Sequence, residues 1–220
     1  MDFSGIEATD LADVQVLNQT FLEYLAGPDG ALLRQPMPAS LREAVRDMTQ
    51  RHVRRLATVP FLLMSCREQD DTYWRHRMSE QTVRDLFAPA GAADPVAQIA
   101  AATLGFLWQL SRNNPYAARM LSGASVTWCE QLATASLFDV LQSAAVDPQL
   151  LTLRCGTDAV FWQRLLGAGL SSNVEIRRAA HLNAMQTVLS QVESQSNAQF
   201  RSAACRTRTP ALQLREVKDR

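Results

Sequence analysis

Lysine is almost missing from this chain. Lys218 is the only one among 22 basic residues, and the other 21 are arginine. A whole-surface electrostatic binder of nucleic acid is also excluded, because 22 acidic residues balance the 22 basic ones. Glycine and proline number nine each, too few for a collagen-like or linker-dominated chain. No uninterrupted apolar run reaches the ~20 residues of a membrane span; the most apolar stretch, Ile99 to Trp108, is far shorter. The four cysteines, Cys66, Cys129, Cys155 and Cys205, stand far apart, with no Cys-x-x-Cys pair of the kind a zinc module needs. They read as free thiols in a reducing compartment. The polar start Met1-Asp2-Phe3-Ser4 has no leader character. The expectation is a cytoplasmic, bacterial protein that has no contact with membranes.

The chain has apolar content in helical rhythm. Of its 220 residues 47% are hydrophobic and 20% charged, enough to bury a core. Val14, Leu17, Phe21 and Leu25 recur at steps of three and four and predict a helix over Thr9–Ala26, ended by Gly27-Pro28-Asp29-Gly30. Ser40 is expected to cap a second stretch in which Leu41, Val45, Met48, His52 and Leu56 share a face, with a break near Thr49. Ala88–Asp94 reads as a linker. Asp94 then caps a helix over Pro95–Ser111 that is apolar almost all round and therefore central. Asn113-Asn114-Pro115 stops it. Short helices are expected over 125–134, 136–144 and 158–166, and a long one from a Ser172/Glu175 capping box to about Glu193. Residues 195–220, with six basic and two acidic side chains, read as a disordered basic tail. The fold class is all-α, a bundle of eight to ten helices.

Sliding the chain against itself exposes an internal repeat. At a shift of 85, Phe21-Leu22 meets Phe106-Leu107, Leu25 meets Leu110, Ala39-Ser40 meets Ala124-Ser125, and Leu56 meets Leu141. At a shift of 88, Pro60 meets Pro148, Leu62-Leu63 meets Leu150-Leu151, Asp70 meets Asp158, and Trp74 meets Trp162. Two similar halves, 1–87 and 94–194, packed as a pseudo-dimer are the expected organisation.

Catalytic and metal-binding patterns are lacking. His52, His76 and His181 have no partner at ligand spacing, and no nucleophile elbow or phosphate loop is present. Gly167-Ala168-Gly169 reads as a helix end and not a nucleotide fingerprint. Gln69-Asp70-Asp71 reads as a capping turn, and Cys66 with His76 lacks a third group to orient a nucleophile. No enzyme, cofactor or metal is expected. One charged feature does stand out. Arg42, Arg46, Arg51, Arg54 and Arg55 crowd into 14 residues, offset only by Glu43 and Asp47. Arg46, Arg51, Arg54 and Arg55 are the candidate partner-binding residues, for an acidic protein or for phosphates. The alternative is a solvated face pairing locally with Glu43 and Asp47. Trp74, Trp108, Trp128 and Trp162 are candidates for core anchors or for the lining of a small-molecule cavity.

Each half also resembles the flagellar transcriptional regulator FlhD family. The resemblance runs from Leu17-Asn18-Gln19-Thr20-Phe21-Leu22 through Leu56-Ala57 to Leu62-Leu63-Met64-Ser65-Cys66-Arg67 and Asp70-Asp71. In the second half it runs from Ala117-Ala118-Arg119-Met120-Leu121 through Leu132-Ala133 and Leu141 to Leu150-Leu151-Thr152-Leu153-Arg154. It implies an all-helical, non-enzymatic regulator or adaptor that acts through another protein, with nucleic acid reached only through that partner or through the Arg-rich segment. The second half departs from it, carrying Trp128, Glu130 and Asp139 where the first is Arg-rich.

Overall fold

The structure is a computed structural model, and it describes residues 5–27, 37–79, 94–147 and 149–206. Among these residues there are ten helices and one two-stranded ribbon. In chain order they are α1 (Ala8–Ala26), α2 (Ala39–Arg46), α3 (Gln50–Ala57), β1 (Met64–Ser65), α4 (Asp71–Ser79), α5 (Pro95–Asn113), α6 (Pro115–Ser122), α7 (Val126–Thr134), α8 (Leu137–Val146), β2 (Thr152–Leu153), α9 (Ala159–Ala168) and α10 (Val174–Arg206). Apart from this ribbon the described residues form an all-α fold.

Side-chain caps set most of the helix starts. Thr49 Oγ1 accepts the His52 N–H at 3.3 Å and separates α3 from α2. Asp94 accepts the Val96 N–H, with Pro95 at the first helical position. Ser125, Ser136 and Asp158 do the same for α7, α8 and α9. Each cap satisfies a backbone donor that the helix itself leaves without a partner.

Four expectations need correction. Ser40 lies inside α2, because the Pro38 carbonyl already accepts from Leu41 and Arg42 and starts the helix earlier. Asn114 does not merely stop α5. Its side chain also accepts the Ala117 N–H at 3.0 Å and opens α6, a helix that follows the stop signal directly. At α10 the cap is Asn173, which accepts from Glu175 and Ile176, and not Ser172. Finally, the helix does not dissolve at Gln195: α10 continues to Arg206. Its apolar stripe fades there, but no Pro or Gly interrupts residues 174–206, so the backbone has no reason to break. Residues 207–220 of the expected tail, residues 88–93 of the expected linker and residues 28–30 of the first turn lie outside the described residues.

The core is built around the run Phe61-Leu62-Leu63-Met64, every residue of which is fully buried. The backbone of this run is held from three sides. Asn18, buried on α1, donates to the Phe61 carbonyl at 2.9 Å and accepts the Leu63 N–H at 2.8 Å. Leu62 donates to the Leu121 carbonyl, and Arg154 donates through its backbone N–H to the Leu63 carbonyl, both at 2.8 Å. Buried backbone polar groups need partners, and here the end of α6, the Asn18 side chain and the turn after β2 supply them.

β1 and β2 pair antiparallel, Met64 opposite Leu153 and Ser65 opposite Thr152. The turns that leave them share one geometry 88 positions apart. Arg67 and Cys155 both take left-handed backbone angles, φ 55° and 51°. Asp70 and Asp158 donate through their N–H groups to the Arg67 and Cys155 carbonyls, each at 2.9 Å. The Asp70 and Asp158 carboxylates then cap α4 and α9 by accepting from Tyr73 and Phe161. Helices on either side of residues 80–93 pack against one another. Trp74 on α4 meets Trp128 on α7 edge-on, 5.6 Å between ring centres, while α9 lies against α2 and α1 against α5.

Candidate anion-binding groove

α3 is short and strongly one-sided. Val53, Leu56 and Ala57 face the core, while Arg51 and Arg54 face solvent. The first turn of α10 comes to rest beside this outer face and adds Arg177. The result is a groove of about 300 Å³ lined by Gln50, Arg51, Arg54, Arg55, Thr58 and Arg177.

Two of its four guanidinium groups are tethered. Arg55 donates through Nη1 to the Leu170 carbonyl, and Arg177 through Nη1 to the Ser171 carbonyl, both at 2.8 Å. Those carbonyls belong to the turn between α9 and α10, so the turn aims two cations into one space. Beneath it, buried His181 contacts the Gly169 carbonyl through Nε2 at 3.2 Å. Among the described residues no carboxylate lies within 4 Å of any of the four arginines; Arg67 pairs instead with Asp70 and Asp147, and Arg154 with Glu68. Glu43 and Asp47 therefore do not neutralise this face. Arg55 is held below the ordinary arginine value by loss of solvent around it and then by the like charges of Arg51 and Arg177.

The structure thus brings together Arg51, Arg54 and Arg55 and leaves Arg46 outside, exposed at the end of α2. Arg177 was missed. The doublet Arg177-Arg178 is visible in the sequence, but nothing local says that the start of α10 returns to α3.

None of the tryptophans lines the groove. Trp74, Trp128 and Trp162 are at most 1% exposed and anchor the core. Trp74 donates through Nε1 to the Arg67 carbonyl and Trp162 to the Arg154 carbonyl. Trp108 is half-buried, donates to the Ala135 carbonyl and carries the Arg112 guanidinium on its face, 4.8 Å from the ring centre.

The remaining candidate groups are structural. Asp70 caps α4 and pairs with Arg67, so the acidic turn is a helix start. Cys66 is buried, and burial pushes its thiol well above the usual range, while His76 is exposed on α4. Among the described residues no group of three His, Cys, Asp or Glu side chains is placed to hold a metal ion. No described helix is long and apolar enough to cross a membrane.

Comparison with known protein families, curated proteins and solved structures found no match.

Proposed function

We propose that this chain is a non-enzymatic helical interaction module, a regulator or adaptor of bacterial type, whose α3–α10 groove takes an acidic group of a partner protein. One observation carries the reading: four guanidinium groups from two distant segments converge on one concave space with no carboxylate beside them among the described residues. Uncompensated like charges cost stability, and such clusters persist where a binding partner neutralises them. Arginine suits this role because its planar fork meets carboxylate and phosphate oxygens two at a time.

In this reading the chain is a tandem duplication, two FlhD-like units packed as a pseudo-dimer. The paired turns at Arg67 and Cys155, 88 positions apart, and the exchange of helices across the halves support it. The Arg groove forms on only one side, since at the shift of 85 Ser136, Asp139 and Val140 stand where the first half has Arg51, Arg54 and Arg55.

The test is a double charge reversal, Arg51→Glu with Arg54→Glu, both exposed positions on α3. Tagged wild-type and variant proteins are purified from the native cell at two salt concentrations. A stoichiometric protein retained by the wild type and lost by the variant, with unchanged thermal unfolding, is the expected result. Equal retention by both would exclude the groove as the contact.

A further inference from the structure

We propose that the group recognised by the α3–α10 groove is a dianionic phosphate monoester. This rests on the groove being the anion-capturing surface argued above and adds what kind of anion it takes.

Three features separate phosphate from the other anions. The first is the number of forks. A guanidinium carries five N–H donors, and Arg55 and Arg177 each commit Nη1 to a carbonyl, which leaves the rest of each fork free within the groove. Arg51 and Arg54 add two more groups on the exposed rim. A carboxylate has two oxygens in one plane and one charge, which one or two guanidiniums satisfy. A phosphate monoester has three terminal oxygens in a tetrahedron and nearly two charges at neutral pH, and so can meet three or four.

The second feature is the charge. The two tethered cations and the two rim cations have no carboxylate within 4 Å among the described residues. Arg51 and Arg177 both act on Arg55 as like charges. A doubly charged ligand relieves that repulsion more than a singly charged one.

The third feature is the shape. Nucleic-acid backbones are bound along stripes that follow successive phosphates. Here the cations converge on one space of about 300 Å³, at the small end of ligand pockets. Arg42 and Arg46, which would extend a stripe along α2, lie outside the lining, and Arg42 instead reaches the Met37 carbonyl. The geometry favours a single phosphate group and its immediate carrier.

The test is isothermal titration of the full-length protein at pH 7.5 and low salt with O-phosphoserine, inorganic phosphate, dimethyl phosphate and succinate. O-phosphoserine is expected to bind at one site per chain, at least tenfold more tightly than dimethyl phosphate, which has one charge, or succinate, whose two charges sit on planar groups. The Arg51→Gln/Arg54→Gln double variant is expected to lose at least tenfold in affinity with unchanged thermal unfolding; Arg177→Gln should do the same, and the exposed pair carries the test if Arg177→Gln unfolds. Inorganic phosphate binding as tightly as O-phosphoserine supports recognition of the phosphate alone, and weaker binding supports a contribution from the ester carrier. Succinate binding as tightly as O-phosphoserine would overturn the phosphate assignment while leaving the anion groove standing. A single-stranded oligonucleotide binding more tightly than O-phosphoserine, with a steep salt dependence, would overturn it in favour of a nucleic-acid backbone. No binding of any anion, with partner capture unaffected in the Arg51→Glu/Arg54→Glu protein, would remove both readings.

Discussion

Arg154 and Glu68 form a buried ion pair across the β ribbon, 2.6 Å from Nη2 to Oε1, with side chains only 5% and 1% exposed. The approach is ionic rather than an aligned hydrogen bond. Arg154 also donates to the Leu62 and Met64 carbonyls, at 2.6 and 2.8 Å. Glu68 accepts from the Ser65 hydroxyl and the Cys66 N–H at 2.8 and 2.7 Å. Each charge thus holds the backbone on the other side of the ribbon or beside its own turn.

Removing either partner leaves the other buried and uncompensated, which costs about 3–5 kcal/mol in comparable cases. Arg154→Met should cost more than Glu68→Gln, since it also frees two carbonyls. The double variant should lose clearly less than the sum of the two. Urea unfolding of the four proteins measures this; strict additivity would mean the pair does not act as a unit.

His181 gives stability a pH dependence of known sign. Burial holds its pKa below the ordinary histidine value, and the nearby Arg177 acts the same way against the hydrogen bonds to Gly169 and Thr58. The unfolded chain therefore binds a proton at a pH where the folded chain does not. The contribution is fully present above the unfolded value of about 6.5 and is lost as pH falls toward the lower folded value. Between pH 7 and pH 5 the urea midpoint should fall, and it should fall less in His181→Gln. An identical slope in both proteins would count against this assignment.

The thiols should be inert in the folded state. Burial is the first cause of the upward shift in each case: Cys129 is pushed up to about 12, Cys155 to about 11, and Cys66 higher still. Thiolate is the reactive form, so almost none exists at pH 8. In a Cys205→Ser protein, labelling of buried Cys66 and Cys129 by a disulfide reagent should proceed only as fast as unfolding exposes them, while half-buried Cys155 should label slowly because so little of it is thiolate. Rapid labelling of one thiol at native pH would show that its site opens locally.

Gly169 ends α9 where no side chain fits. A Cβ there would run into the Leu165 carbonyl and come within 3.3 Å of His181 Cδ2. Gly169→Ala should cost roughly 1–3 kcal/mol, the range for overpacking. Because Leu170 and Ser171 carry the carbonyls that aim Arg55 and Arg177, the same change should weaken phosphate binding. Thermal unfolding and the titration above read the two effects separately.

The helices were legible where a single local signal decides them. Thr49, Asp94, Ser125 and Ser136 each precede an apolar rhythm and each caps a helix in the structure. α6 was hidden because Asn114-Pro115 serves one helix as an end and the next as a beginning, and a stop signal does not announce its second use. Three of the groove's arginines were visible as one run on α3. Arg177 was not, since its place depends on where the turn after α9 sends the chain. The Arg154–Glu68 pair was also invisible, because a charged residue reads as surface until its distant counterpart is known.

The exchange of helices has a mechanical corollary. Trp74 on α4 packs against Trp128 on α7, α1 lies against α5, and α9 touches α2, so helices before residue 80 and helices after residue 93 shelter one another. A fragment carrying α1 to α4 would lack the surface that shelters its largest side chain. Heating should consequently melt the described body in one step, with the groove losing its shape in the same transition that opens the ribbon.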